Sequence, residues 1–237
     1  MLINQILPEW QVKVFSEVLA RRSQLPHAML LVAPSGCGLS EFAQALAQSL
    51  LCEQARGAEP ACGRCPACHW MTQGQHPDYR HIGLALGDDG KLASQIPIDT
   101  IRGLSDFLAV GGHRGGLRVI LIDPAHAMNV FAANALLKSL EEPGAGVVFL
   151  LASTRPEQLL PTLRSRCQTV RVPAPSAEAA RDWLCQRTGC TREQADVWLA
   201  ISAMAPLAAA ELAEPGRNQA HAQAAEALAS LPEREPA

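Results

Sequence analysis

The sequence predicts an α/β fold: a parallel sheet of P-loop type, covered by helices and followed by a small, wholly helical domain. Three observations carry this. Short apolar runs alternate with helical patterns of about 10–15 residues, the rhythm of parallel strands joined by crossover helices. A glycine-bearing loop, Ala33-Pro34-Ser35-Gly36-Cys37-Gly38-Leu39-Ser40, joins the first such run to a helix. After Pro173-Ala174-Pro175 the strand pattern stops.

Taken in chain order, Trp10, Val14, Val18 and Leu19 recur at helical spacing behind Pro8 and predict a helix over 9–22. Ala28–Ala33 is a continuous apolar run ended by Pro34 and Gly36, as suits a strand buried on both faces. Leu39–Leu51 is rich in helix formers. Pro97–Val110 predicts a helix with Ile98, Ile101, Leu104 and Leu108 on one face, broken by Gly111–Gly116. Val119–Asp123 is a second strand, ending in an acid. Asn129–Glu142 is a helix stopped by Pro143-Gly144, Val147–Ala152 a third strand and Gln168–Val172 a fourth. Ser176–Arg187, Arg192–Ala203 and Leu207–Ala213 read as three further helices. The expected organisation is an α/β domain at 1–172 with an insert at 52–68, and a small helical domain at 173–214. Residues 215–237 read as a weakly structured tail or the start of a further domain.

Composition sets outer limits. The 237 residues are 48% apolar and 18% charged, with a formal net charge of −3. That suffices for a buried core, and it excludes binding nucleic acid through a strongly basic coat. The N-terminus lacks the basic and apolar regions of a signal peptide, and no apolar run approaches the ~18 residues of a membrane span. The chain reads as cytoplasmic, where thiols stay reduced.

Against that background the cysteines stand out. Of eight, four fall in one short segment as Cys52, Cys62, Cys65 and Cys68, a C-x9-C-x2-C-x2-C pattern. Zinc takes four thiolates in a tetrahedron, and C-x2-C pairs let a chain double back around one ion. Gly57, Pro60, Gly63 and Pro66 supply turn residues between the ligands. A full shell implies a structural zinc, one per chain, with His69 and His76 as spare donors. The competing reading is a set of redox-active or unrelated thiols. Only Arg56 and Arg64 are basic within the segment, which does not suit a DNA-reading finger.

The glycine-bearing loop departs from the phosphate-binding pattern G-x-x-x-x-G-K-[ST]. Gly36 and Gly38 are present and Ser40 keeps the hydroxyl, but Ala33 replaces the first glycine and Leu39 stands where lysine would meet the β- and γ-phosphates. The strand ending in Asp123 resembles the one that holds a Mg²⁺-binding acid, yet Pro124 follows it where a second acid would orient water. The loop is either a degenerate P-loop or an ordinary strand-to-helix turn. Neither hydrolyses ATP, and no ATP is expected as cofactor; an active ATPase with an atypical loop is the alternative. Arg166, in Leu163-Arg164-Ser165-Arg166-Cys167-Gln168, lies between the last two predicted strands. There it is either a solvated arginine or one offered to a neighbour's γ-phosphate, for which a planar, permanently charged fork is suited.

These residues together resemble a known family. The run Asn134-Ala135-Leu136-Leu137-Lys138-Ser139-Leu140-Glu141-Glu142-Pro143, the Ser165-Arg166-Cys167 triplet, the four-cysteine insert and His76-Pro77-Asp78 are similar to bacterial clamp-loader subunits of the AAA+ class, over about residues 1–210. Leu39 and Pro124 resemble a subunit that does not hydrolyse ATP, rather than the hydrolysing gamma/tau subunits. The resemblance implies an AAA+ domain followed by a three-helix lid, zinc on the four cysteines, and Arg166 projecting in trans into the ATP site of an adjacent gamma/tau subunit. It implies gamma/tau and delta subunits as partners, and DNA through the complex. Thr154 would occupy the sensor-1 region. Lys138 and Glu142 form an i,i+4 pair, and the run around them reads as a packing and subunit-contact element. Family members continue into an all-helical collar domain, which would be starting where this sequence ends.

Overall fold

Five parallel strands and the helices between them build the first part of the computed structural model, which describes residues 7–87, 90–109 and 116–214. The predicted tail at 215–237 and most of the predicted break at 111–116 lie outside these residues. The order is α1 (Glu9–Ala20), β1 (Ala28–Val32), α2 (Leu39–Leu51), α3 (Pro66–Thr72), β2 (Tyr79–Ile82), α4 (Ile98–Arg102), α5 (Leu104–Ala109), β3 (Arg118–Ile122), α6 (Val130–Glu141), β4 (Val147–Ser153), α7 (Pro161–Arg164) and β5 (Gln168–Arg171). The sheet order is β2-β3-β4-β1-β5. Every pairing is parallel, with Leu30 opposite both Leu151 and Thr169, and Ile120 opposite Phe149.

The apolar runs at the sheet centre follow from this order. All five side chains of β3 and all seven of β4 are buried, because helices cover both faces. Side chains alternate between the two layers with the strand period of two. Val119, Leu121, Val148 and Leu150 join Phe15, Leu19, Phe42 and Leu46 of α1 and α2. Ile120, Ile122, Phe149 and Leu151 join Ile101, Leu104, Leu136 and Leu140 of α4, α5 and α6. Phe15 and Phe42 meet edge to face at 5.4 Å, locking α1 against α2.

Two expectations change. The helix predicted over 97–110 is two short ones, separated at Gly103, where the poor helix propensity of glycine costs about 1 kcal/mol relative to alanine. The sheet also has a strand that apolar patterning did not register. β2 reads Tyr-Arg-His-Ile and lies at the edge, with Arg80 and His81 exposed. Its Arg80 guanidinium donates back to the Tyr79 carbonyl at 2.9 Å, occupying an acceptor of the edge strand.

Chain contacts divide the protein into two units, Met1–Ala174 and Pro175–Ala237. The second contains α8 (Ala177–Thr188), α9 (Arg192–Ile201) and α10 (Pro206–Leu212), packed around Ala180, Leu184, Ala195, Leu199 and Ala209. The Ser176 hydroxyl caps α8, and Thr191 with Gln194 forms a reciprocal capping box on α9. Arg181–Asp196 at 2.6 Å and Arg192–Asp182 at 2.7 Å tie α8 to α9. No single described helix is long and apolar enough to cross a membrane.

Candidate functional site

The four clustered cysteines converge. Their Sγ atoms all lie within 4.8 Å of one another, with Cys52–Cys65 at 3.9 Å and Cys62–Cys68 at 4.0 Å. A tetrahedron with zinc–sulfur arms of 2.3 Å has edges of about 3.8 Å, so the set fits one such ion. The local sequence folds this way for identifiable reasons. Cys65 caps α3, whose first turn begins at Pro66, and its sulfur accepts from the Cys68 amide at 3.4 Å. Gly63 adopts φ +71, a left-handed turn that glycine makes without a Cβ penalty. The Cys62 amide points at the Cys52 sulfur, 3.3 Å away.

The thiol electrostatics diverge. The Arg64 backbone amide, helped by that of Cys65, draws the Cys62 thiol down to about 6. Burial, reinforced by the neighbouring Cys65 thiol, drives Cys68 upward. Four sulfurs this close favour a shared cation over four protons or four bare thiolates.

Two side chains bolt this knob to the sheet domain, and motif spacing gave no sign of either. Arg22 donates to the Ala55 carbonyl at 2.7 Å and the Glu59 carbonyl at 3.1 Å, and its burial lowers its pKa. Ser49 accepts from the Ala61 amide at 3.0 Å while donating to the Ala45 carbonyl.

The glycine-bearing loop joins β1 to α2, as a P-loop does. Gly36 and Gly38 have φ +69 and +86, and Gly38 occupies the N-cap position of α2. Leu39 is 5% exposed and belongs to the apolar layer around Phe15 and Phe42, whereas Ser40 is partly exposed. Sequence reasoning missed Gln11, which is fully buried. Its Nε2 donates to the Cys37 carbonyl at 2.6 Å and to the Gly38 carbonyl at 3.3 Å, tying α1 to the loop. Putting an ammonium into the apolar layer leaves a charge without a partner. Leu39→Lys is therefore expected to lower stability by roughly 2 kcal/mol or more, read as a fall in the melting temperature.

Asp123 follows β3 and Thr154 follows β4, so both lie at the C-terminal ends of central strands, the end at which open α/β sheets bind ligands. Beside them Ser153 is buried, its hydroxyl 3.1 Å from His126 Nδ1 and accepting from the Arg155 amide at 3.1 Å. Burial, then the nearby Arg155 charge, holds His126 below its usual range.

Arg166 sits just past α7. Its Nη2 pairs with Glu141 Oε1 at 2.5 Å and its Nη1 donates to the Thr162 carbonyl at 3.0 Å. The expected Lys138–Glu142 pair does not form: α6 ends at Glu141, and Glu142 lies outside the helix with φ −125 and ψ 67. The Glu142 amide still donates to the Lys138 carbonyl at 3.1 Å, but the non-helical dihedrals of this C-cap residue take its side chain off the helix face. The acid of this run that makes an ion pair is Glu141. His76-Pro77-Asp78 also gains a role. Asp78 forms a buried pair with Arg118 at 3.6 Å, and its amide donates to His76 Nδ1 at 3.1 Å.

Comparison with known proteins is consistent in kind. A family model described as DNA polymerase III, delta subunit, matches residues 9–176. The DNA polymerase III subunit delta' of Pseudomonas aeruginosa is 40% identical over 223 residues, covering 94% of this chain and 66% of the relative. Its Escherichia coli counterpart is 36% identical over 203 residues, covering 86% and 59%. The chain thus spans about three fifths to two thirds of the length of these relatives. Among solved structures, a DNA polymerase III gamma subunit-related protein from Thermotoga maritima has a TM-score of 0.54 at 21% identity, covering 94% of this chain and 63% of that one. This last likeness concerns the fold.

Proposed function

This chain belongs to the DNA polymerase III delta-subunit family of clamp-loader proteins, and on that premise we propose that it acts as a delta' subunit: one that does not hydrolyse ATP and lends an arginine to a neighbour that does. The observation carrying this reading is the burial of Leu39. Phosphoryl transfer at a P-loop needs a lysine charge on the β- and γ-phosphates, and the side chain at that position belongs to the apolar core instead. Asp123 is followed by Pro124, which offers no group to orient water.

The chain's contribution would then be made outward. Arg166 supports this by position, on the loop between β4 and β5, with a partly exposed guanidinium. Gamma/tau and delta subunits are the partners this assigns, with DNA reached through the complex. Cys52, Cys62, Cys65 and Cys68 would hold one zinc, which supplies a tetrahedral cross-link and no reaction step. The remaining residues of the insert position those thiols, through Arg22 and Ser49.

Nucleotide titration of the isolated chain is expected to show no ATP turnover. Arg166→Ala is expected to leave the melting temperature nearly unchanged and to slow clamp loading by the reconstituted complex at least tenfold, since an arginine finger is worth about 10³–10⁵ in turnover of the site it serves. Unchanged loading would remove the finger role. Turnover by the isolated chain that disappears in Ser40→Ala would instead establish an ATPase.

A further inference from the structure

We propose that Glu141 is a positioning residue for Arg166: with the Thr162 carbonyl it holds the guanidinium at a fixed point while leaving donors free to reach a partner's phosphate. This rests on the finger reading above and deepens it. A long arginine side chain at a surface ordinarily samples many rotamers, and ordering it at the moment of reaction opposes catalysis. Here the two η nitrogens are each engaged once, at 2.5 Å to Glu141 Oε1 and 3.0 Å to the Thr162 carbonyl. A guanidinium carries five N–H donors, so three remain for another ligand.

The two anchors sit on different elements, and each is backed by the core. Glu141 is the last residue of α6, one residue after Leu140 at 1% exposure. Thr162 lies in α7 beside Leu163, which is fully buried. The guanidinium is therefore referenced to two points that cannot drift independently. The tie is also selective. Arg164, the last residue of α7 and two residues before Arg166, has no side-chain hydrogen bond or ion pair among the described residues. The Glu141–Arg166 pair is half exposed, with side chains at 49% and 36%. Such pairs add little to stability, so its value lies in the geometry it imposes.

The test uses the full chain reconstituted with the hydrolysing and remaining clamp-loader subunits of the same organism, following ATP hydrolysis stimulated by clamp and primed DNA. Glu141→Ala is expected to lower kcat roughly tenfold with KM for ATP unchanged, less than the ~100-fold that a 1 Å misplacement can cost, because the Thr162 carbonyl still holds the guanidinium. Glu141→Gln, which keeps an acceptor oxygen, should recover part of that loss. Adding Glu141→Ala to Arg166→Ala should cause no further loss. Full kcat in Glu141→Ala, where Arg166→Ala is impaired, overturns the positioning role and leaves the finger standing. Full kcat in Arg166→Ala overturns the finger, and the positioning role with it. The tether is read separately in the isolated chain from the Arg166 Nε–H resonance. Restricted motion in the parent that is lost in Glu141→Ala supports it, and equal mobility in both overturns it.

Discussion

Cys65→Ala is expected to empty the four-cysteine knob of metal and to unfold residues 52–72 locally while the sheet persists. Bound zinc should fall from about one per chain to none, and Cys52, Cys62 and Cys68 should all become open to alkylation. The magnitude follows from the site's construction. Structural zinc in comparable peptides is worth about 10 kcal/mol or more at neutral pH, and the knob has little else. Its buried residues beyond the cysteines are three alanines, Ala55, Ala61 and Ala67. So small a core cannot offset the ordering of some twenty residues. Because the ligands must be thiolates, the metal should leave as pH falls and return as it rises. Protein purified with zinc present, yet metal-free and fully alkylated at all four positions, would show that the thiols serve some other chemistry.

Arg118→Met should be among the most damaging single changes in the sheet domain, at about 3–5 kcal/mol, because it removes the cation that faces a buried carboxylate. Arg118 and Asp78 are 5% and 9% exposed at the side chain and 3.6 Å apart. The Arg118 guanidinium also lies 4.1 Å from the centroid of Phe107, whose ring has Arg80 at 4.6 Å. The methionine keeps the aliphatic bulk, so the loss isolates the charge. Adding Asp78→Asn should recover part of it, since the buried negative charge is then gone. Urea denaturation of the two single variants and the double variant measures the cycle. A cost below about 1 kcal/mol for Arg118→Met would place the pair with ordinary surface bridges.

The sheet centre was legible because burial on both faces leaves continuous apolar runs: β1, β3 and β4 match the readings Ala28–Ala33, Val119–Asp123 and Val147–Ala152 to within one residue at each end. β2 was not, because a four-residue edge strand with Arg80 and His81 facing solvent has neither a run nor an alternation. The cysteine pattern was legible because ligand spacing along the chain is itself the signal. Gln11, Arg22 and Glu141 left no such trace. Each acts on a partner more than twenty residues away, on Cys37, Ala55 and Arg166 respectively, and only the fold supplies the distance. The Lys138–Glu142 expectation failed by one residue, because helix ends are where periodic reasoning is weakest.

The burial of Leu39 has a historical consequence. A lysine placed at that position by a single substitution would meet an apolar layer shaped around leucine, and the chain would lose stability before its ammonium gained any hold on phosphate. With Pro124 also in place, a non-hydrolysing chain would need at least two changes to approach the full pattern. On the reading proposed above, the core would act as a ratchet: a phosphate loop once absorbed into packing is held there by selection on folding alone.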